Sequence, residues 1–327
     1  MKKKILLMLV VLFTMSTNIL ADGLTATLQQ GDVMTPFYGV DAFKQAYSAA
    51  QDGAVITLSS GKFNDVSNIS KQITVIGACA FSENDNEKTF LTSIEVNADN
   101  VKIEGIDFSD KVTLSTSKKI TNCTLRRCLI YKLYSPYYHT NTLVDQCRIG
   151  VENAIASGKY YCIKNSSIGY FGEMNSTANI AYISNCFVDV FWGTYGKRPY
   201  AIYKNNCLRI LANTASKSVL LYSPSEYYNN LFCYDDGSKL AQWAVSFDNG
   251  CANNGNIKRI QKYESLYGCF TRPIDAPLGS DGTVVGPYGG TGFSQYPAIP
   301  RIISKSIDSN SNAEGKINVK ITVKAEQ

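Results

Sequence analysis

Ile183-Ser184-Asn185-Cys186-Phe187-Val188 is one copy of a six-residue pattern that recurs along the chain: apolar, polar, Asn or Gly, small, variable, apolar. The other copies occupy residues 75–80, 103–108, 120–125, 144–149, 163–168, 203–208 and 227–232, with successive starts 28, 17, 24, 19, 20, 20 and 24 residues apart. A repeat near twenty residues is too short to bury a core alone, so copies must stack into a solenoid. The third position holds Gly77, Gly105, Asn122, Gln146, Asn165, Asn185, Asn205 and Asn229. Gly and Asn enter the left-handed backbone region most cheaply, so all but Gln146 suit a one-residue bend between two short strands. Alternation then turns positions one, four and six inward and positions two and five outward, with the Asn side chains free to hydrogen-bond up their column. The apolar residues alternate instead of falling three and four apart, and are rich in Ile, Val and Tyr, which selects strands over a helical solenoid.

This coil motif resembles that of the right-handed parallel β-helix of the pectate-lyase-like superfamily. Three flanking features fit the resemblance. Residues 41–51 read as a helix with Phe43, Ala46, Tyr47 and Ala50 on one face, Asp41 as N-cap and Gly53 beyond the end, placed to cover the open first coil. Gly53-Ala54-Val55-Ile56-Thr57-Leu58-Ser59-Ser60-Gly61-Lys62-Phe63 is similar to that superfamily's entry coil. Ser280-Asp281-Gly282-Thr283-Val284-Val285-Gly286-Pro287-Tyr288-Gly289-Gly290 resembles the closing segment of secreted β-helix proteins of the Bacteroidota. The expected organisation is an all-β chain: a signal peptide over 1–21, the capped β-helix over 22–290, and a hairpin-like strand tail over 291–327.

Lys2, Lys3 and Lys4, an apolar run and Ala21 before Asp22 have the parts of a secretory signal, so the mature chain is expected outside the cell, on its surface or in the periplasm. No later segment reaches membrane-spanning length. Export also removes most of the formal charge of +5: without the three lysines, 29 basic residues face 27 acidic ones. That near-neutral balance speaks against nucleic acid as a partner. In the tail, Ile317, Val319, Ile321 and Val323 alternate with Lys316, Asn318, Lys320, Thr322 and Lys324, which reads as a hairpin that packs on or caps the last coil.

The chain holds 10 Cys, but Cys123, Cys147 and Cys186 fall at the inward fourth position that Ala78 and Ser166 fill elsewhere. They read as small core residues, with a Cys123–Cys147 bridge as the alternative. No Cys-x-x-Cys occurs and there is a single His, so no metal or other cofactor is expected.

Chemistry belongs on the outward columns. The second-position column reads Ile76, Glu104, Thr121, Asp145, Lys164, Ser184, Lys204, Tyr228, which makes Asp145 and Lys164 neighbours; Asp189 and Arg209 form a second such pair. Either could serve a lyase that removes a proton beside a uronate carboxylate, or could be a plain ion pair. His139 and the adjacent Tyr138, in an extended coil, are the further acid–base candidates. The acidic calcium cluster of pectate lyases and the motifs of polygalacturonases are absent, so no catalytic residue carries over from the resemblance. Tyrosine is the stronger signal: residues 131–234 hold 15 of the 21. Tyr134, Tyr137, Tyr138, Tyr160, Tyr161, Trp192, Tyr195 and Tyr200 form an aromatic flank suited to stacking on sugars. The expected partner is therefore a polysaccharide or cell-surface glycan, bound without turnover. A polysaccharide lyase or glycoside hydrolase acting on an acidic glycan, and a structural or adhesive surface protein, are the alternatives.

Overall fold

The computed structural model describes residues 23–135, 139–155, 161–170, 180–190, 200–210, 218–221, 226–234, 244–247, 252–260, 278–294, 296, 300–307, 316–317 and 319–324. Two twelve-stranded sheets wind together as a parallel β-helix. Sheet A opens with the antiparallel strands Val33–Tyr38 and Thr25–Gln30. It then continues in parallel through Val55–Leu58, Thr74–Ile76, Lys102–Glu104, Thr124–Arg126, Leu143–Asp145, Tyr161–Lys164, Ile180–Ser184, Tyr200–Lys204, Glu226–Tyr228 and Ala252–Asn254. Sheet B runs alongside through Ile106–Leu114, Leu129–Ser135, Arg148–Ile155, Ser167–Tyr170, Phe187–Val190, Cys207–Ile210, Leu231–Tyr234 and Ile257–Ile260. From Gly105 to Gly255 the coils cross from A to B through a left-handed one-residue bend of the kind the repeat anticipates.

Two corrections to the repeat follow from the strand register. Leu125 pairs with Ile103 and Val144, so the third copy is Leu125-Arg126-Arg127-Cys128-Leu129-Ile130, not 120–125. It escapes the pattern because Arg127 stands in the Asn position, yet its φ is 50, and Gln146 makes the same turn at 55. Tyr227 likewise pairs with Asn253, which adds a ninth copy at Asn253-Asn254-Gly255-Asn256-Ile257-Lys258 with Gly255 at φ 67. Asn122 instead belongs to a second corner, where Asn100, Asn122 and Asn141 turn the chain at φ 59, 57 and 52. Gly77 has no positive φ; a Cβ there would collide with the Gly105 carbonyl and Ile106.

The fourth position does more than fill space. A bend leaves backbone groups without strand partners, and buried ones need replacements. Asn206, Asn230 and Asn256 each donate through Nδ2 to the first-position carbonyl of the preceding coil (Ile183, Tyr203 and Tyr227) at 2.7–2.9 Å. Their Oδ1 atoms accept the backbone N–H of Cys186, Asn206 and Asn230. Ser166 accepts in the same way from the Cys147 N–H, and Cys128, Cys147 and Cys186 reach the equivalent carbonyls through sulfur at 3.5–3.8 Å. Cys123 lies at the other corner, 3.4 Å from the Ala98 carbonyl, so it does not share the column of Cys147. The eight described cysteines are free thiols. Tyr203 and Tyr227, at the first position, stack in the core with ring centroids 5.0 Å apart and planes within 2°.

The cap helix, α1, spans Ala42–Ala49 and buries Ala42, Phe43 and Ala46 on the first coil. Asp41 does not cap it with its side chain: the carboxylate accepts from Asn64 at 2.8 Å and pairs with Lys44 at 3.4 Å. At the far end, residues 278–294 form a strap that runs back down the solenoid along the Asn column. Asn229 accepts from the Ser280 N–H and donates to Asp281 and Thr283. Asn205 offers its carbonyl to the Gly286 N–H, Asn165 donates to the carbonyls of Pro287 and Gly289, and Gln146 accepts the Ser294 N–H. Gly279 and Gly289 face Asn229 and Asn185 so closely that neither has room for a Cβ. The strap explains why Phe187, Cys207 and Leu231, at the outward fifth position, are buried: Val285 packs on them. The tail forms the expected hairpin of Arg301–Ile307 with Val319–Lys324. Its Ile317, Val319, Ile321 and Val323 face is 39–55% exposed, so that face does not cap the coils.

Candidate functional site

Sheet A presents its second-position column outward, and the corrected register reads Ile76, Glu104, Arg126, Asp145, Lys164, Ser184, Lys204, Tyr228. Asp145 and Lys164 are neighbours as the repeat anticipates, with Lys164 Nζ 3.9 Å from Asp145 Oδ2. Arg126, concealed from sequence reading by its unrecognised copy, approaches the same oxygen at 3.2 Å from the other side. Arg126 Nε has no hydrogen bond there, so the contact is an ion pair and not a directed bond. Asp145 is 2% exposed, and its Oδ1 has no hydrogen-bond partner among the described residues. Burial raises its pKa, while Lys164 and Arg126 act to lower it. Beside this trio, the buried Arg127 donates to Glu104 at 2.6 Å and to Gln146 at 2.9 Å, joining the charged cluster to the strap through the Gln146–Ser294 bond.

Two residues nearer the start of each strand lies a second outward column, which contains Lys102, Thr124, Leu143, Cys162, Tyr182, Ile202 and Glu226. Lys102 and Tyr182 are exposed. At its N-terminal end the face adjoins a groove of about 400 Å³ lined by Gln72, Thr74, Asn100, Lys102 and Asn122. Basic side chains thus run along sheet A at Lys102, Arg126, Lys164 and Lys204, with Tyr182 among them. Of these, Arg126, Lys102 and Tyr182 carry no signal in the six-residue pattern: Arg126 because its copy has Arg127 at the bend, Lys102 and Tyr182 because they precede the pattern by one residue in their strands.

His139 is placed differently. It is 1% exposed, its Nδ1 accepts the Ile120 N–H at 3.3 Å, and its Nε2 lies 3.0 Å from the Leu114 carbonyl, which fixes the proton on Nε2. Burial lowers its pKa to about 4. A ring with both nitrogens committed to backbone and no contact with solvent bridges coils; it has no free nitrogen for a substrate proton. Asp189 and Arg209 lie on the neighbouring strands Phe187–Val190 and Cys207–Ile210, with side chains outside the described residues. Tyr134 is half-buried on Leu129–Ser135. Tyr161 and Tyr200 begin strands of sheet A, and their side chains fall outside the described residues. Tyr137, Tyr138, Tyr160, Trp192 and Tyr195 lie outside the described residues altogether. Among the described residues no three His, Cys, Asp or Glu side chains converge on a point where a metal ion could sit.

No family model, no curated protein and no solved structure matches this chain.

Proposed function

We propose that this is an exported β-helix protein, akin to the pectate-lyase-like solenoids in its coil motif, that holds an acidic polysaccharide against the outer face of sheet A without turning it over. The reading is supported above all by the cations of one outward column, Arg126, Lys164 and Lys204, on a parallel sheet beside the exposed ring of Tyr182. Ammonium and guanidinium groups pair with carboxylate or sulfate, and a tyrosine face covers a sugar ring. The Tyr-rich segments between the strands would extend this surface at the flank.

A lyase is the second reading, and Asp145 favours it: a carboxylate of raised pKa with one unpartnered oxygen, between two cations, has the make-up of a proton acceptor for uronates. Its burial supports binding over turnover, because an oxygen hidden from solvent cannot meet a substrate proton without movement of the sheet. Affinity electrophoresis of the full chain in gels carrying acidic polysaccharides, with a parallel assay for unsaturated products, separates the readings. The expected result is retardation that weakens with salt and is lost in a Lys164→Ala/Lys204→Ala variant, with no product. Product formation would overturn the non-catalytic reading, and absence of any retardation would overturn the glycan reading itself.

A further inference from the structure

The exposed amides of the corner before sheet A bond in one direction. Asn141 Nδ2 donates to Asn122 Oδ1 at 3.0 Å, Asn122 Nδ2 to Asn100 Oδ1 at 3.1 Å, and Asn100 Nδ2 to Gln72 Oε1 at 3.0 Å. The amide oxygens of Gln72, Asn100 and Asn122 are thus each engaged by the next coil, while Asn100 and Asn122 each keep one N–H for what lies outside. The ladder ends at Gln72, which is exposed and whose Nε2 has no acceptor among the described residues. Amides aligned head to tail polarise one another, and here the donor end is Gln72. These three amides line the groove of about 400 Å³ together with Thr74 and Lys102, and no carboxylate is among its lining residues. That volume lies in the range of small-molecule sites, ~300–1,000 Å³. Lys102 is exposed and has no ion-pair partner among the described residues. The acids nearby are occupied: Glu104 by Arg127 at 2.6 Å, Asp52 by the Gln72 N–H at 2.8 Å and Asp99 by the Thr121 N–H at 2.7 Å. The wall therefore presents N–H donors and one ammonium, with its amide acceptors spent. A sugar hydroxyl both donates and accepts, so it finds half its partners there; an ionised carboxylate only accepts, and its bonds are the stronger, charge-assisted kind.

We infer that this groove is a binding site for the carboxylate of a uronic-acid sugar, held by the Lys102 ammonium and the free Nε2 of Gln72, and that it anchors an acidic polysaccharide at the N-terminal end of sheet A. The inference rests on the acidic-glycan reading above for its ligand and uses none of the charges gathered at Asp145.

Titration calorimetry of the full chain with trigalacturonate and with its neutral methyl ester tests this. The free acid should bind, and the ester about tenfold more weakly. Gln72→Glu and Lys102→Ala, both at exposed side chains and checked for an intact fold by circular dichroism, should each weaken the free acid by about tenfold. The Lys164→Ala/Lys204→Ala variant should hold it as the native chain does. A single sugar in the groove adds little retardation without the sheet contacts, so this titration and the gel assay read different parts of the surface. Equal binding of acid and ester, affinity unchanged in both Gln72→Glu and Lys102→Ala, or loss of binding in Lys164→Ala/Lys204→Ala overturns the groove inference. So does a failure of trigalacturonate to bind. In each case retardation of the same sample by acidic polysaccharide leaves the glycan reading standing, and no retardation overturns both.

Discussion

At one corner of the solenoid Asn100, Asn122 and Asn141 turn the chain in open solvent, while at the other Gln146, Asn165, Asn185, Asn205 and Asn229 make the same turn alongside the strap. Their backbones are nearly indistinguishable, with φ of 52–59 at the open corner and 47–56 at the covered one. Their side chains do different work. At the open corner the amides bond to one another, Asn122 to Asn100 at 3.1 Å and Asn141 to Asn122 at 3.0 Å, in competition with water. At the covered corner they satisfy the backbone and side chains of a segment more than fifty residues away, buried at Asn165 and part-buried at Asn229. The left-handed bend is a local demand met by residue type; the value of the amide depends on what lies over it.

Asn229→Ala should have the largest effect. It removes bonds to Asn205, Ser280, Asp281 and Thr283 and forces a Cβ-bearing residue without a polar side chain into φ 50. A loss of about 3 kcal/mol in equilibrium denaturation is expected. Asn229→Gly keeps the bend at ease and should cost about 2 kcal/mol, the share of the lost side-chain bonds to the strap and to Asn205. A cost near zero for Asn229→Gly would break the distinction between the corners.

The open corner should also respond to acid through His139, which stands there as a bridge between coils. Its pKa is lowered by burial to about 4, against the usual 6.5, so the stability tied to its neutral form is complete above pH 6.5 and drains away as pH falls towards 4. Asp107 on sheet B has the opposite sign: burial raises its pKa to about 6 from 3.8, so the fold gains relative stability as pH falls through 6 towards 3.8. The two partly cancel in the native chain. In Asp107→Asn the His139 loss should emerge, on the order of 2 kcal/mol between pH 6.5 and 4, and in His139→Gln stability should rise over the same interval. Denaturation midpoints against pH read both, and parallel profiles for the two variants would refute the assignment.

The smallest effects should come from Asn122, which sharpens the contrast from the other side. Asn122→Ala should cost about 1 kcal/mol, the penalty of the left-handed turn, and Asn122→Gly only a few tenths, because water replaces the ladder bond. A cost for Asn122→Gly equal to that for Asn229→Gly would show the two columns to be energetically alike.

Much of this was legible in the chain itself. The bend motif, its inward first and sixth positions, the cap helix and the neighbouring of Asp145 and Lys164 all depend on short-range chemistry and strand alternation, which the residues carry with them. Arg127 gives no local sign of its bend because its left-handed turn is held by Glu104 and Gln146 from adjacent coils, and not by anything intrinsic to Arg. That one position hid Arg126, and with it the cation that completes the outward column.

By itself, then, the sequence determined that strands would bend at Asn and Gly and stack in parallel, since φ preference and side-chain alternation act within a few residues. Only the tertiary structure decided which Asn column would be covered, why outward Phe187 and Leu231 are buried, and which charges face one another at Asp145. Those outcomes rest on register between coils and on the return of residues 278–294 across them, and such long-range contacts leave no periodic trace in the chain.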